Sequence, residues 1–301
     1  AAGAKYGYGS PIHLLARILF PSSGGGIGSL PVFVYPQAEA SGATSKIITI
    51  EPSGVATGNG THTLVIAGRK GLEAVFYDIN IVEGDAVDDI TAKIEDAVNA
   101  VLGSPVDAAA DAYQCDLETK WKGLTANGLT VTIETNGDAL GLEYDITTSQ
   151  AGSATPSIAA ALTAFGNIWN TVVINSYGTV TSILDALEEF NGKPSATNPT
   201  GRYAATTMKP FIAITGSVAE DPSSITDARK NEVTIAIAPA PLSAGFAFEA
   251  AANMAVLYAR KAQDTPELDV SGEVYPDMPT PTNIGAMANL TDRDVIVKKG
   301  C

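Results

Sequence analysis

Two hydrophobic rhythms run through this chain, and one sheet cannot satisfy both. Between about Thr44 and Gln150 apolar residues alternate with polar ones, as in "KIITIEPSG", "THTLVIAGRKGLEAVFYDINIVEGD", "YQCDLETKWKG", "LTVTIETNG" and "LEYDITTSQ". A period of two, broken by glycine, predicts antiparallel strands. One helical pattern interrupts them. In "GDAVDDITAKIEDAVNAVLG", Val87, Ile90, Ile94, Val98 and Val101 share a helical face, with Asp85 as the expected cap and Gly103 as the stop. From Ala154 the rhythm changes. The apolar runs "NTVVINSY", "KPFIAITG" and "EVTIAIAP" alternate with the helical stretches "SIAAALTAFG", "VTSILDALEEFNG", "SSITDARKN" and "SAGFAFEAAANMAVLYARKAQ". That alternation predicts a parallel sheet with helices on its faces.

The first forty residues belong to the second pattern. "SPIHLLARILF" predicts a helix over 10–20, with Ser10 as N-cap, Pro11 in the first turn and Ile12, Leu15 and Leu19 on the inner face. "LPVFVYPQ" predicts a buried strand at 31–36, assigned to the parallel sheet. Residues 1–42 and 153–301 then form one α/β domain, and residues 43–152 form an α+β domain inserted between its first and second strands. The proline-rich tail predicts an extended connection and a last helix from about Thr291, with Lys298 and Lys299 where cations suit the helix dipole.

The stretch "PSSGGGIGSLPVFVYP" carries four glycines, Gly24, Gly25, Gly26 and Gly28, that invite a phosphate-cradle reading. A cradle needs glycines after a strand and before a helix, so that helix N-terminal amides face the anion. Here the order is helix, glycines, strand, and no Lys-Ser or Lys-Thr follows. The loop reads as a flexible connection.

Charge narrows the partners. The chain carries 33 acidic against 18 basic residues, a net charge of −15. Such a field repels nucleic acid and anionic lipid, and neither is expected as a partner. Charged residues make up only 17 %, so much of the surface must be small and uncharged. Cys115 reads as a buried thiol and Cys301 as a tail thiol; two distant cysteines and two histidines give no disulfide framework and no zinc spacing. No apolar run reaches the ~18 residues of a membrane helix, and no secretory leader opens the chain. The abrupt ends, "AAGAKYGYGS" and "VIVKKGC", read as cuts inside a larger protein.

Groups able to do chemistry are few. His13 sits in an apolar helix and reads as a packed or surface histidine; His62, among hydroxyls in "GNGTHTLVI", reads as exposed. Ser243 reads as the cap of the long helix, since "APLSAGF" lacks the nucleophile-elbow pattern. The carboxylates Asp85, Asp88, Asp89, Glu188, Glu189, Glu220 and Asp221 lack a calcium-loop spacing and read as caps and solvated faces. "ITGS", 214–217, ends a strand at the sheet edge where α/β proteins bind ligands. Trp121 and Trp169 read as core residues, with an exposed contact at Trp121 as the alternative. No catalytic, cofactor-binding or metal-binding residue is assigned, and no cofactor is expected.

Against this background the order of pieces resembles the contractile tail sheath proteins of Mu-like phages. "YGYGSPIHLLARILF" followed by "VFVYPQAEASGA" resembles the helix and strand that open their core. "THTLVIAGRKG", "INIVEGDAVDDITAKIEDAVNAV" and "WKGLTANGLTVTIET" resemble their inserted module. "IAAALTAFGNIWNTVVINSYGTVTSILDALEEF", "GFAFEAAANMAVLYARKAQDTPELDVSGEVYPDMP" and "LTDRDVIVKKGC" resemble the segments that follow. The resemblance implies a layered α/β part like a subtilisin fold without its catalytic triad, helices on both faces of the sheet, and an inserted strand-rich α+β domain toward the outside of the lattice. The family's N-terminal arm, C-terminal domain and C-terminal arm have no counterpart here, which implies a trimmed core.

What the resemblance implies about function follows. The protein would be a structural subunit, not an enzyme, polymerising helically around an inner tail tube. Its partners would be neighbouring sheath subunits, the tube protein, and baseplate and neck or terminator proteins. Arms that add strands to neighbouring sheets would tether cores that slide during contraction. Assembly would take place in the host cytoplasm and the product would sit in the virion tail. Two other readings stay open: an adhesive or carbohydrate-binding surface protein, from the Thr-rich acidic insertion, and a serine hydrolase using Ser243 or Ser217.

Overall fold

The computed structural model describes residues 2–229, 233–267, 270, 272–281, 285 and 289–299. The chain divides into two compact units, Ala1–Leu14 with Ser41–Thr155, and Leu15–Ala40 with Pro156–Cys301. It opens with two helices, α1 (Ala2–Tyr6) and α2 (Pro11–Leu19). The Ser10 hydroxyl accepts the His13 N–H at 3.3 Å, so Ser10 is the N-cap of α2. The buried face is not the expected one. His13, Leu14, Ile18 and Leu19 are buried, while Ile12 and Leu15 are only half-buried.

The first unit is strand-rich. Its strands are β1 (Ser45–Gly54), β2 (Gly60–Ile66), the short hairpin β3 (Gly71–Leu72) and β4 (Val75–Phe76), and β5 (Asp78–Ile81). After helix α3 (Val87–Asn99) come β6 (Val106–Ala110), β7 (Cys115–Lys122), β8 (Val131–Glu134) and β9 (Leu142–Gln150). They make a four-stranded antiparallel sheet in the order β6-β7-β1-β9, a three-stranded antiparallel sheet in the order β5-β2-β8, and the β3-β4 hairpin. Helix α3 packs on strands of both larger sheets. Ile90, Ile94 and Val98 on its inner face are fully buried, as are Ile50 and Leu117 on β1 and β7. Each such side chain contributes about 1.5–3 kcal/mol by leaving water.

Two details of α3 differ from expectation. Asp85 does not cap it: its carboxylate accepts the Val82 N–H and pairs with Lys93. Asp89 in the first turn reaches back to the Ala86 N–H at 3.0 Å instead. The helix also stops at Asn99, ahead of Gly103, and the Asn99 side chain is used elsewhere. Its side-chain amide donates to the Ala108 carbonyl and accepts the Ala108 N–H, both at 3.0 Å. It thus acts as a ladder partner for the outer edge of β6.

The second unit is an α/β sandwich. After α4 (Ala159–Phe165) come β10 (Val172–Asn175), α5 (Thr181–Asn191), β11 (Ile212–Ser217), α6 (Ser223–Asp227), β12 (Ile235–Pro239), the long helix α7 (Ala247–Asp264) and α8 (Leu290–Lys298). β10, β11 and β12 form a parallel sheet in that order. On one face Ala213 packs with Ile158, Leu162 and Phe165 of the α4 region and Ile183 and Leu187 of α5. On the other, Ile214 and Ala238 pack with Ala250, Ala251 and Ala255 of α7. Helices on both faces of a parallel sheet are therefore present; the sheet has three strands among the described residues. Parts of the expected "SSITDARKN" helix and "EVTIAIAP" strand, at Lys230, Asn231 and Glu232, lie outside the described residues, as does Cys301.

The strand expected at 31–36 does not form. Residues 30–40 carry no regular secondary structure, and Phe33 is 55 % exposed. Pro31 and Pro36 bracket the run, and neither has an N–H to give a ladder. Tyr35 is anchored, its ring stacked on Phe165 with centroids 5.0 Å apart. β10 is likewise less buried than expected, with Val172 half-exposed at the sheet edge.

The sheet and α7 approach unusually closely at Gly216. A Cβ placed there would stand 1.6 Å from the Ala247 carbonyl oxygen. Gly216→Ala is expected to destabilise the protein by about 1–3 kcal/mol or more, read as a lower denaturant midpoint. An unchanged midpoint would contradict this contact.

Candidate functional site

The groups singled out by the sequence sit in bonded, structural settings. His62 lies on β2 and is fully buried, not exposed as expected. Its Nε2 is 3.0 Å from the Asp138 carbonyl, which can only accept, so Nε2 carries the proton. Its Nδ1 then accepts the Tyr144 hydroxyl at 2.7 Å. Tyr144 lies on β9, so this one imidazole joins the two antiparallel sheets of the first unit. Burial pushes the Tyr144 hydroxyl up to about 12. Sequence reading missed Tyr144; the usable signal was His62 at an inward position of an alternating strand.

His13 is also packed. Its Nδ1 accepts the Gly9 N–H at 3.0 Å, and Tyr8 meets the ring edge-on. Gly9 has φ +78°, and a Cβ there would collide with the Ser104 carbonyl, so glycine is required at this turn.

The serines show no nucleophile geometry. The Ser243 hydroxyl donates to the Pro279 carbonyl at 2.6 Å. Ser243 also lies too early to cap α7, whose N-cap is Phe246; the Glu249 carboxylate accepts the Phe246 N–H at 3.0 Å. The Ser217 hydroxyl accepts the Ala219 N–H at 3.3 Å. At the carboxyl edge of the parallel sheet, Asn175 donates to the Thr215 hydroxyl and the Gly178 carbonyl, and α7 fills the space over Gly216. The "ITGS" edge is occupied by the chain's own atoms.

The glycine loop closes the end of α2. Ile27 donates its N–H to the Leu19 carbonyl at 3.0 Å and buries its side chain with Ile18, Leu19, Ala252 and Val256. Gly24, Gly25 and Gly28 have positive φ. The loop therefore faces the negative end of a helix dipole, which disfavours phosphate.

Buried polar side chains in the second unit serve the backbone. Asn191 donates to the Phe211 carbonyl and the Thr234 hydroxyl, and its carbonyl accepts the Phe211 N–H. Arg202 donates to the carbonyls of Lys209 and Ile168 and lies over the rings of Phe165 and Phe190. Sequence reading singled out neither. Among the described residues no group of three or more His, Cys, Asp or Glu side chains is placed to hold a metal ion. No helix among them is long and apolar enough to cross a membrane. Trp121 is buried, its indole N–H donated to the Thr125 hydroxyl. Trp169, expected in the core, is 57 % exposed.

Two outcomes follow from these settings. An unfolded tyrosine ionises from about pH 10, whereas Tyr144 in the folded chain holds its proton to about 12. Its contribution to stability is intact below pH 10 and is lost as pH rises toward 12. Tyr144→Phe should make the fall of stability over that window shallower and cost about 0.5–1.5 kcal/mol near neutral pH, measured by denaturant titration across pH. An identical pH profile would contradict the buried hydroxyl. Cys115 is fully buried, and burial followed by Glu95 and Asp116 pushes its thiol up to about 12. In a Cys301→Ser background a thiol reagent should label Cys115 only as fast as the chain unfolds; prompt labelling would contradict this.

No protein-family model matches the chain. The chain is similar to the Mu-like prophage FluMu tail sheath protein of Haemophilus influenzae, 28 % identical over 152 residues, which cover 50 % of this chain and 30 % of that protein. The chain thus matches less than a third of that relative's length. Among solved structures, the D2-D3 domains of the flagellar cap protein FliD from Escherichia coli align with 37 % of this chain and 62 % of theirs, at 19 % identity and a TM-score of 0.22. A likeness that weak carries no argument about fold or function.

Proposed function

We propose that this chain is part of a structural subunit of a phage tail sheath, and that the sheath is contractile. The observation that carries the reading is the 28 % identity over 152 residues with the Mu-like prophage tail sheath protein. The settings of His62, Ser243 and the glycine loop support it, because each group is spent on holding the fold.

In this reading the subunit repeats helically around an inner tail tube through heterologous contacts that do not close into a ring. Baseplate and neck proteins bound the array, which is built in the host cytoplasm and ends in the virion tail. The parallel sheet with helices on both faces supports a layered core, which we take to be subtilisin-like, formed by residues 15–40 and 156–301. Residues 43–152 are then an inserted module. Contraction is a rigid-body rearrangement of such cores from a long lattice to a short one. The energy for it resides in the assembled lattice, so the subunit needs no nucleotide.

Negative-stain microscopy of the full-length gene product tests this reading. Hollow tubes of regular helical repeat are expected, alone or when nucleated on co-expressed tube protein. Separate particles in both preparations would count against a sheath.

A further inference from the structure

Asparagine followed by glycine is the pair most open to spontaneous backbone chemistry, because glycine leaves the nitrogen behind the asparagine unhindered. The chain holds four such pairs, at Asn59, Asn127, Asn136 and Asn191. The fold restrains three of them. Asn191 is fully buried, its carboxamide is bonded at both ends, and the Gly192 N–H donates to the Glu188 carbonyl at 2.8 Å. Asn127 lies in the 3₁₀ turn Leu124–Gly128, donates to the Gly152 carbonyl at 2.9 Å and accepts the Gly152 N–H at 2.8 Å. Asn59 accepts the Glu83 N–H at 2.9 Å, and Gly60 opens β2 in register with Ile81 of β5. Leu64 on the same strand donates to the Tyr77 carbonyl, and the alternation of an antiparallel ladder puts Gly60 in a hydrogen-bonded pair as well.

Asn136 is placed differently. It and Gly137 are exposed at the corner where the chain leaves β8 in one sheet for β9 in the other. Their φ angles, +55° and +98°, are those of a type I′ turn, closed by the Asp138 N–H on the Thr135 carbonyl at 3.2 Å. Among the described residues the Gly137 N–H has no partner, and the space a Cβ at Gly137 would take is open. The Asn136 carboxamide is held through Nδ2, which donates to the Thr61 carbonyl at 2.7 Å and the Thr63 hydroxyl at 3.3 Å. Bringing the Gly137 nitrogen onto Cγ of Asn136 therefore needs these bonds and the turn to open, while both strands stay paired. Such local opening costs far less than unfolding a sheet.

We propose that Asn136 is a site of spontaneous deamidation, and that its conversion loosens the corner between the two antiparallel sheets. The Gly137 nitrogen gives its proton to hydroxide and bonds to Cγ of Asn136. The Cγ–Nδ2 bond breaks, and the amide leaves as ammonia with a proton from water. Water then opens the cyclic imide at one of its two C–N bonds, giving aspartate or isoaspartate. Aspartate has no N–H for the Thr61 carbonyl and sets a carboxylate against it. The Thr63 hydroxyl, which donates to the Asp78 carboxylate at 3.1 Å, is left between two carboxylates. Isoaspartate adds a methylene group to the backbone of the turn that positions the Asp138 carbonyl, the acceptor of the His62 N–H. The reacting asparagine thus lies two residues from the bond that ties the sheets together.

This site is independent of the sheath reading. Peptide mapping by mass spectrometry tests it, on the 301-residue chain held at mildly alkaline pH, folded and in denaturant. In the folded chain Asn136 should gain the NH₂-to-OH mass difference at least about tenfold faster than Asn59, Asn127 or Asn191, since it alone reacts through opening of a turn. In denaturant the four rates should converge. Isoaspartyl methyltransferase should label the peptide that carries position 136. Asn136→Gln, whose longer side chain closes the imide far more slowly, should remove both the mass gain and the label. Asn136→Asp, made directly, should unfold at a lower denaturant concentration than the parent. A folded chain in which Asn136 reacts no faster than the other three would overturn the site. So would a preference for Asn136 that persists undiminished in denaturant, because the neighbouring sequence and not the fold would then set it. An Asn136→Asp midpoint equal to the parent's would overturn the loosening of the corner.

Discussion

The second unit depends on how closely one alanine-faced helix can approach a three-stranded sheet. Gly216 has no side chain, and the carbonyl of Ala247 occupies the space a Cβ would need. One and two turns along, Ala250, Ala251 and Ala255 continue the contact against Ile214 and Ala238. Small residues on both surfaces let backbones approach, and the gain is many short dispersion contacts where large side chains would have kept the layers apart. The same helix presents Ala252 and Val256 to Ile18, Leu19 and Ile27. The end of α2 and the glycine loop behind it are therefore fixed by a segment more than two hundred residues away. The glycines matter because they let Ile27 turn back into that cluster, not because they offer amides to an anion.

The first unit solves a different problem, two antiparallel sheets sharing one helix. Its apolar core is ordinary, but the polar groups show how the parts are registered. Asn99 stands in for a strand at the edge of β6, and His62 spans from one sheet to the other. A buried imidazole satisfied at both nitrogens costs little, whereas one left with an open nitrogen would be expensive. That is why the histidine most open to a chemical reading is better understood as a bolt between sheets.

Much of the architecture was legible in the residues. Period-two alternation located β1, β2, β7, β8 and β9; helical spacing located α3, α5 and α7; and the change of rhythm separated an antiparallel unit from a parallel one. The misses have particular causes. "LPVFVYPQ" has strand composition, but its flanking prolines withhold the donors a ladder needs. β6 is "VDAAA", too poor in β-formers to register, and is completed by Asn99 from another element. Asp85 and Ser243 have the right chemistry to cap helices, yet Asp89 and Glu249 do the work through the carboxylates of the first turn. His62 and Trp169 were placed on the wrong sides of the surface, because solvent exposure is set by which sheet or helix comes to lie above a residue. That is decided by contacts distant in sequence. Nothing local marks it.

The central claim is that this chain is a repeating structural part of a tail shaft. Immunogold labelling of intact particles with antibodies raised against the 301-residue chain tests it most directly. The account predicts gold at regular intervals along the whole shaft, shortening together with the shaft when particles contract. Gold confined to the capsid, the baseplate or a fibre tip would contradict it.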